Sequence, residues 1–362
     1  MSCSIPFAAI NTELFPANYA SGRQRWLAEL GDEMHCFSYS CSGSSPGGDA
    51  LFTDTVWIGP ADAINVVVLI GGTHGVEGFA GSAIETDILR LLSSGQLVIP
   101  THTALLIVHA LTPWGYAWQR RCDADGVDLN RNAVDFLKPL PINSGYEALK
   151  PAMSLTDTQQ RKYLFAEFVR VQGREAFEIA ISGGQYTDPE GPFYGGQKPA
   201  HGRRVIEDLQ AKHHLHQRNL AVIDIHTGLG SFGYGEIICD HHPDSPAINV
   251  ARQWYGDSVT LPLLGTSTSV PKLGLQDYAW HAIMNDRSCF VTLEFGTYST
   301  DQLFDVIQRD HQLWAQSGND LERIEHSQLM RQHFNPDDQA WREMVLFRGR
   351  QVISQALKGI ST

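Results

Sequence analysis

Four stretches of this chain are apolar almost without interruption: Asn65–Gly71 (NVVVLIG), Ala104–His109 (ALLIVH), Ala221–Ile225 (AVIDI) and Cys289–Phe295 (CFVTLEF). They are short and rich in β-branched residues. Continuous rather than alternating hydrophobicity marks strands covered on both faces. Between them, apolar positions recur at helical spacing and predict helices over Ala80–Leu92, Thr158–Ile181 and Gly202–His216. Strand and helix alternation implies an α/β fold with a mostly parallel or mixed sheet and crossover helices. From about Asp301 the pattern is helical, with Gln302–Gln316 followed by a charged segment. No repeat or low-complexity linker divides the chain. It reads as a single catalytic domain, 1–362, in which 1–60 is an N-terminal extension and 301–362 a helical segment packed on the core. One irregular stretch, Ser182–Arg203 (SGGQYTDPEGPFYGGQKPAHGR), is too long and too rich in Gly and Pro for a plain connector. It is expected to be a lid or binding loop.

Composition narrows the partners. The 362 residues are 43% hydrophobic and 19% charged, enough for a large core. A formal net charge of −13 disfavours nucleic acid and anionic membranes, which would be repelled. The N-terminal residues show no basic segment before an apolar run, and no stretch approaches the roughly 18 apolar residues of a membrane span. Six cysteines (Cys3, Cys36, Cys41, Cys122, Cys239, Cys289) are scattered without CxxC spacing and read as reduced thiols of a cytoplasmic protein.

The candidate chemistry lies at strand ends. Gly71-Gly72-Thr73-His74-Gly75-Val76-Glu77-Gly78 leaves the most apolar strand and enters a helix. His74 and Glu77 therefore stand at a carboxyl edge, where open α/β sheets bind ligands. Imidazole nitrogen and carboxylate oxygen are zinc donors at about 2.0–2.2 Å. An H-x-x-E spacing arises by chance roughly once in a chain with 15 histidines. Here it occurs once, and at a strand end. A third ligand must come from another strand, and Ala221–Ile225 runs into His226-Thr227-Gly228-Leu229-Gly230. Two His and one Glu, with water at the fourth position, form a catalytic rather than structural zinc pattern. Glu294 sits near the end of an apolar strand, before Gly296. A carboxylate there is costly without a partner or a task. Beside zinc it serves as general base and then delivers the proton to the leaving amine. The segment Trp118–Asn132 (WQRRCDADGVDLNRN) supplies groups for a substrate anion. Arg131 offers a bidentate fork and Asn130 an amide donor. Arg120 or Arg121 is placed to stabilise an oxyanion, and Asp128 to hold a ligand imidazole in one tautomer.

Together these motifs resemble the M14 zinc carboxypeptidase superfamily: Thr73–Gly78 its H-x-x-E pair, Gly126-Val127-Asp128-Leu129-Asn130-Arg131-Asn132 its G-V-D-L-N-R-N segment, His226 its late histidine and Glu294 its catalytic glutamate. Ile225–Gly230, Gly184-Gln185-Tyr186, Pro192–Gly196 and Glu294–Tyr298 look like the bacterial branch catalogued as DUF2817. The resemblance spans roughly Val66 to Tyr298. It implies a mixed sheet of about eight strands flanked by helices on both faces, and one zinc per chain. It also implies hydrolysis of an amide near a free carboxylate by metal-activated water, in a small peptide or acyl-amino-acid substrate. By carry-over, Asn130 and Arg131 grip the carboxylate and Asp128 supports His74. The stretch from Trp118 to Asn130 is shorter than in digestive carboxypeptidases, so the oxyanion arginine stays open between Arg120 and Arg121. The family's mobile tyrosine stays open among Tyr186, Tyr194 and Tyr278. Leu275–Trp280 resembles the segment lining the specificity pocket.

Three rivals carry less. Gly43-Ser44-Ser45-Pro46-Gly47 fits the G-x-S-x-G elbow, but Pro46 has no N–H for an oxyanion. An N-acyl amino acid deacylase similar to aspartoacylases and succinylglutamate desuccinylases shares the same ligand logic and differs in substrate size. A binding-only module would be expected to lose Glu294, which this chain keeps.

Overall fold

The computed structural model describes residues 9–31, 34–317 and 320–362; Cys3 lies outside them. Eight strands form one sheet: β1 (Cys36–Ser44), β2 (Ala50–Ile58), β3 (Asn65–Ile70), β4 (Thr103–His109), β5 (Asn219–Gly228), β6 (Gly235–Ile238), β7 (Val259–Thr260) and β8 (Cys289–Gly296), in the order β1-β2-β4-β3-β5-β8-β6-β7. The four strands legible as apolar runs, β4-β3-β5-β8, are mutually parallel and central. β1 and β2 join antiparallel on one side and β6 antiparallel on the other. The first sixty residues, expected as an extension, thus supply two strands of the sheet.

Residue alternation explains why these runs are apolar throughout. Val67, Leu69, Ile107, Ile223, Ile225 and Leu293 face one layer, built on the helices Gly78–Ser93, Pro246–Tyr255 and Gln339–Ile360. Val66, Val68, Ile70, Val108, Val222 and Phe290 face the other, covered by Val205, Ile206 and Leu209 of the helix His201–Lys212. The expected helix Thr158–Ile181 is two helices, Thr158–Gln172 and Arg174–Ser182, broken at Gly173 (φ 90°, ψ 161°). Only glycine adopts that φ without strain, so the periodicity runs across a real break. The expected helix Gly202–His216 ends at Lys212, and His214 adopts φ 49° before a short 3-10 turn. Among the described residues no helix is long and apolar enough to cross a membrane. Cys36, Cys41, Cys122, Cys239 and Cys289 are free thiols.

Strand order fixes where a ligand can bind. From β3 the chain first adds β4 on one side and later β5 on the other. Between such divergent connections a crevice opens at the carboxyl ends of the strands. His74 follows β3 and His226 lies within β5.

One buried side chain sets an acid limit on this core. His109 of β4 is 1% exposed and stacks on Trp26 with ring centroids 5.2 Å apart. Its Nε2 lies 3.1 Å from Ser82 Oγ, and burial pulls its pKa down to about 4. Between about pH 6.5 and 4 the unfolded chain binds a proton that the native chain refuses, so stability falls as pH falls. The expected loss from this one group between pH 7.5 and 5 is about 2 kcal/mol. Urea midpoints at the two pH values should diverge by less in His109→Gln than in the parent; equal divergence would remove His109 as the cause.

Candidate metal centre and its cleft

Glycine builds the turn that presents the first two candidate ligands. After β3 the chain reverses at Gly72 (φ 71°), and His74 precedes the short 3-10 turn Gly75–Glu77. Gly75 N–H donates to Arg121 O at 3.1 Å and Val76 N–H to Arg120 O at 2.8 Å. This holds the turn so closely that a Cβ on Gly75 would lie 2.1 Å from the Gly115 carbonyl carbon. The helix Gly78–Ser93 then fixes Glu77 from behind.

His74, Glu77 and His226 converge in a buried spot, with exposures of 2%, 1% and 2%. One ligand-type atom from each falls within 4.8 Å of the others. His74 Nδ1 lies 2.9 Å from Glu77 Oε1, His226 Nδ1 3.2 Å from Glu77 Oε2, and the two Nδ1 atoms 3.1 Å apart. Donors about 2.1 Å from a tetrahedral ion stand roughly 3.4 Å from each other, so the spacing fits a small divalent cation. The far nitrogen of each ring faces a carboxylate: His74 Nε2 lies 3.1 Å from Asp128 Oδ1 and His226 Nε2 2.8 Å from Asp224 Oδ2. With neutral rings that carry their proton on Nε2, toward these carboxylates, both Nδ1 lone pairs would be directed at Glu77 and each other, as in metal sites whose ligand histidines are steadied by carboxylates. Thr227 N–H and Arg121 Nη1 donate to Glu77 at 3.0 and 3.1 Å. Burial opposes the charge on Glu77, but His74 and His226, when protonated, outweigh it by their charge and hydrogen bonds and hold its carboxyl far below the usual range. A second trio, Cys122, Asp310 and His311, is also compact. There Arg120 already donates to Asp310 at 2.8 Å and supplies the positive charge.

Glu294 stands beside the trio. It pairs in register with His226 across β5 and β8, and its Oε1 accepts Leu229 N–H at 3.0 Å. Burial, reinforced by the negative charge of Glu77, pushes its pKa up to about 7. On β5 and β8 the even-numbered residues Asp224, His226, Thr292 and Glu294 share one face by strand alternation. The cleft over that face is lined by His74, Glu77, His226, Glu294, Arg121, Asn130 and Arg131.

The remaining expected residues separate. Arg121 lines the cleft, with Nε donating to Asp128 at 3.0 Å. Arg120 turns away, packs over Trp314 and binds Asp310, which corrects its assignment to the oxyanion. Arg131 lines the cleft, but its Nε and Nη2 both donate to Ser182 O, at 3.1 and 2.7 Å. Only its remaining N–H groups can meet a ligand. Asn130 Oδ1 accepts Gln276 N–H at 2.8 Å. Tyr186 is buried and donates to Arg131 O at 2.7 Å, and Tyr278 donates to Lys272 O at 3.1 Å. Neither tyrosine is among the residues that line the cleft. Ser182–Arg203 forms a wall pinned at Gly195 N–H to Gln185 O (2.8 Å) and Asn132 Nδ2 to Gly195 O (2.7 Å), with Phe193 on the cleft. Gly43–Gly47 belongs to the β1–β2 hairpin, outside the cleft.

Sequence reading missed Asp224, although its signal was present: Asp224-Ile225-His226 puts an acid and an imidazole on one face of an apolar strand. It also missed Asp240, Thr268, Ser269 and Lys272, which line the cleft from segments without periodicity.

A family model described as "Protein of unknown function (DUF2817)" matches residues 15–348. Among curated proteins, none matches the sequence. Similar solved structures include bovine thrombin-activatable fibrinolysis inhibitor in complex with tick carboxypeptidase inhibitor (11% identity, 95% of this chain and 94% of that one, TM-score 0.48). A metallo-carboxypeptidase from Pseudomonas aeruginosa has 13% identity, coverages of 95% and 70%, and a TM-score of 0.45. The succinylglutamate desuccinylase from Chromobacterium violaceum has 15% identity, coverages of 88% and 74%, and a TM-score of 0.34. At such identities the chemistry has to be read from this chain's own side chains.

The tight packing at Gly75 is itself testable. Gly75→Ala forces a Cβ into backbone and is expected to cost about 1–3 kcal/mol, whereas Gly31→Ala, with nothing within 4 Å of its Cβ, should be near neutral. Equal urea midpoints for the two variants would show that the turn is not so constrained.

Proposed function

We propose that this chain, which belongs to the DUF2817 family, is a zinc-dependent hydrolase of an amide bond adjoining a free carboxylate. The observation that carries this reading is the convergence of His74 Nδ1, Glu77 and His226 Nδ1 beside Glu294, with Asp128 and Asp224 behind the two rings. His74, Glu77 and His226 would hold the ion. A bound zinc supplies Lewis-acid polarisation and lowers the pKa of water.

The protein groups have separable tasks. Glu294, with a pKa near 7, can take a proton from the attacking water and return it to the leaving amine. The Leu229 N–H fixes one of its oxygens, which aims the other. Asp128 and Asp224 keep the imidazoles oriented and basic. Arg121, held by Asp128 and Glu77, is the cleft arginine placed to meet the developing oxyanion. Arg131 and Asn130 anchor the carboxylate, and the fixed wall around Phe193 excludes water on one side. Deacylation of an N-acyl amino acid is the second reading within this chemistry. It is favoured by an apolar lining of Phe193, Leu229, Leu303 and Phe304, which suits an acyl group.

Metal analysis should find about one zinc per chain, lost in His74→Ala or His226→Ala, while Asp224→Ala should weaken affinity by about 10–100-fold. Glu294→Gln should keep the metal and lose turnover by at least about 100-fold; undiminished turnover would remove the proposed base. A panel of dipeptides and N-acyl amino acids identifies the bond. On the best substrate, Arg131→Ala should raise KM for the free acid and leave its C-terminal amide unaffected. A loss common to both forms would argue against carboxylate anchoring.

A further inference from the structure

The apolar lining of the cleft continues beyond it. Phe193 and Phe304 face the cleft, and from Phe304 a row of rings runs through Phe177 to the partly exposed Phe165. Ring centroids are 6.3 Å apart for Phe193 and Phe304, 6.2 Å for Phe304 and Phe177, and 5.2 Å for Phe177 and Phe165. Phe304 also lines a second groove, with Phe165, Ala166, Val169 and Phe177. Three helices wall this groove: Thr158–Gln172, Arg174–Ser182 and Thr300–Ala315. One apolar cluster joins its rings to Leu229 and to Val76, in the turn between His74 and Glu77.

The groove's own charges are matched. Lys162 lies 3.4 Å from Asp305, Arg170 2.9 Å from Glu167, and Arg174 2.6 Å from both Glu178 and Asp301. Asp301 and Asp305, the acids that line it, are engaged by the same contacts. Its apolar wall is helical, and helix backbone is bonded along its own axis, so it offers no strand edge to an extended peptide. An alkyl chain needs neither charge nor backbone partner. It gains by leaving water against apolar surface, by a margin that grows with each methylene. Scattered apolar side chains are ordinary on a protein surface, but a row of rings that starts inside the cleft has a direction.

We propose that this groove is a subsite for a long alkyl chain, so that the acyl half of the cleaved amide is a fatty acyl group. The chain leaves the metal centre past Phe193 and Phe304 and follows Phe177 to Phe165, between the helices. Hydrolysis adds water across the amide and releases a fatty carboxylic acid and a free amino acid. The inference rests on the deacylase form of the proposed function, but the groove's test does not need turnover.

Calorimetric titration of the zinc-loaded chain with butanoate and octanoate compares two acids that differ only in chain length. Octanoate should bind at least about tenfold more tightly, since each buried methylene is worth about fourfold. Ala166 is exposed on the groove wall. Ala166→Trp fills the groove from its open side and should abolish the octanoate gain while leaving butanoate binding unchanged. Thermal melts show whether that variant is folded; if it is not, Val169→Ser trims the same wall and should lower octanoate affinity severalfold while sparing butanoate. In turnover, N-octanoylglycine should exceed N-butanoylglycine in kcat/KM by a similar factor. Equal binding of the two acids overturns the subsite and leaves the hydrolysis of short acyl amides standing. A gain that survives both substitutions places the chain elsewhere and also overturns it. A dimer in sedimentation that Ala166→Trp disperses assigns the groove to a second copy, with the same consequence. If octanoate obeys the groove but no N-octanoyl amino acid is cleaved, the alkyl subsite stands and the deacylase reading fails.

Discussion

The rest of the cleft depends on the crowding of three electron-rich atoms in a place closed to water. With the ring protons on Nε2, the two Nδ1 atoms and the Glu77 carboxylate offer one another lone pairs across about 3 Å. Such a cluster is unfavourable unless a cation sits among its members, so the protein must hold it together by other means. Asp128 and Asp224 grip the rings from outside. Thr227 N–H and Arg121 hold Glu77, and the carbonyls of Arg120 and Arg121 hold the turn between His74 and Glu77. Each of these groups would be an expensive buried polar atom alone. Together they form a network in which most polar atoms find a partner, and a fixed ligand set is its product.

The sheet makes that network possible because it brings distant residues to one edge. Asp224 and His226 are two apart on β5, and Glu294 meets His226 in register from β8. The alternation that puts Val222 and Phe290 into a core layer therefore puts Asp224, His226 and Glu294 on the same side, one or two steps nearer the strand ends. Packing and chemistry share a single periodicity. Shifting β5 by one residue would exchange core for site along the whole strand.

What could be read from the sequence follows from the same periodicity. β3, β4, β5 and β8 were legible because burial on both faces makes a continuous apolar signal. β1 was not, since Cys36–Ser44 is largely exposed and polar, and β6 and β7 are too short to show a pattern. His74, Glu77, His226 and Glu294 were legible because polar residues at the ends of apolar strands stand out. Gly173 was passed over because residues on both sides of it continue the helical spacing. Arg120 and Arg121 could not be told apart, since adjacent residues in a loop carry no periodic information. Only the three-dimensional course sends one to Asp310 and the other to Glu77. Lys272 gave no signal for a related reason: its segment owes its place to Glu236, Gly183 and Asn130, all remote in sequence.

The overall charge of −13 describes the surface and says little about the cleft. Within it, three acidic groups are already engaged: Asp128 and Asp224 by imidazoles, Glu77 by Thr227 N–H and Arg121. Arg121 is neutralised by two carboxylates, so in the proposed reaction it would answer developing charge without attracting a charged ground state. Arg131 donates to the carbonyls of Ser182 and Asn130, and under the proposed function its charge would be available to a resting ligand. The apolar lining of Phe193, Leu229, Leu303 and Phe304 offers no such attraction. Under the proposed function, a molecule entering with an anionic half and an apolar half would therefore have one favourable orientation, with its carboxylate toward Arg131. In the proposed reaction that polarity, more than the candidate metal trio itself, would distinguish the two halves of a substrate.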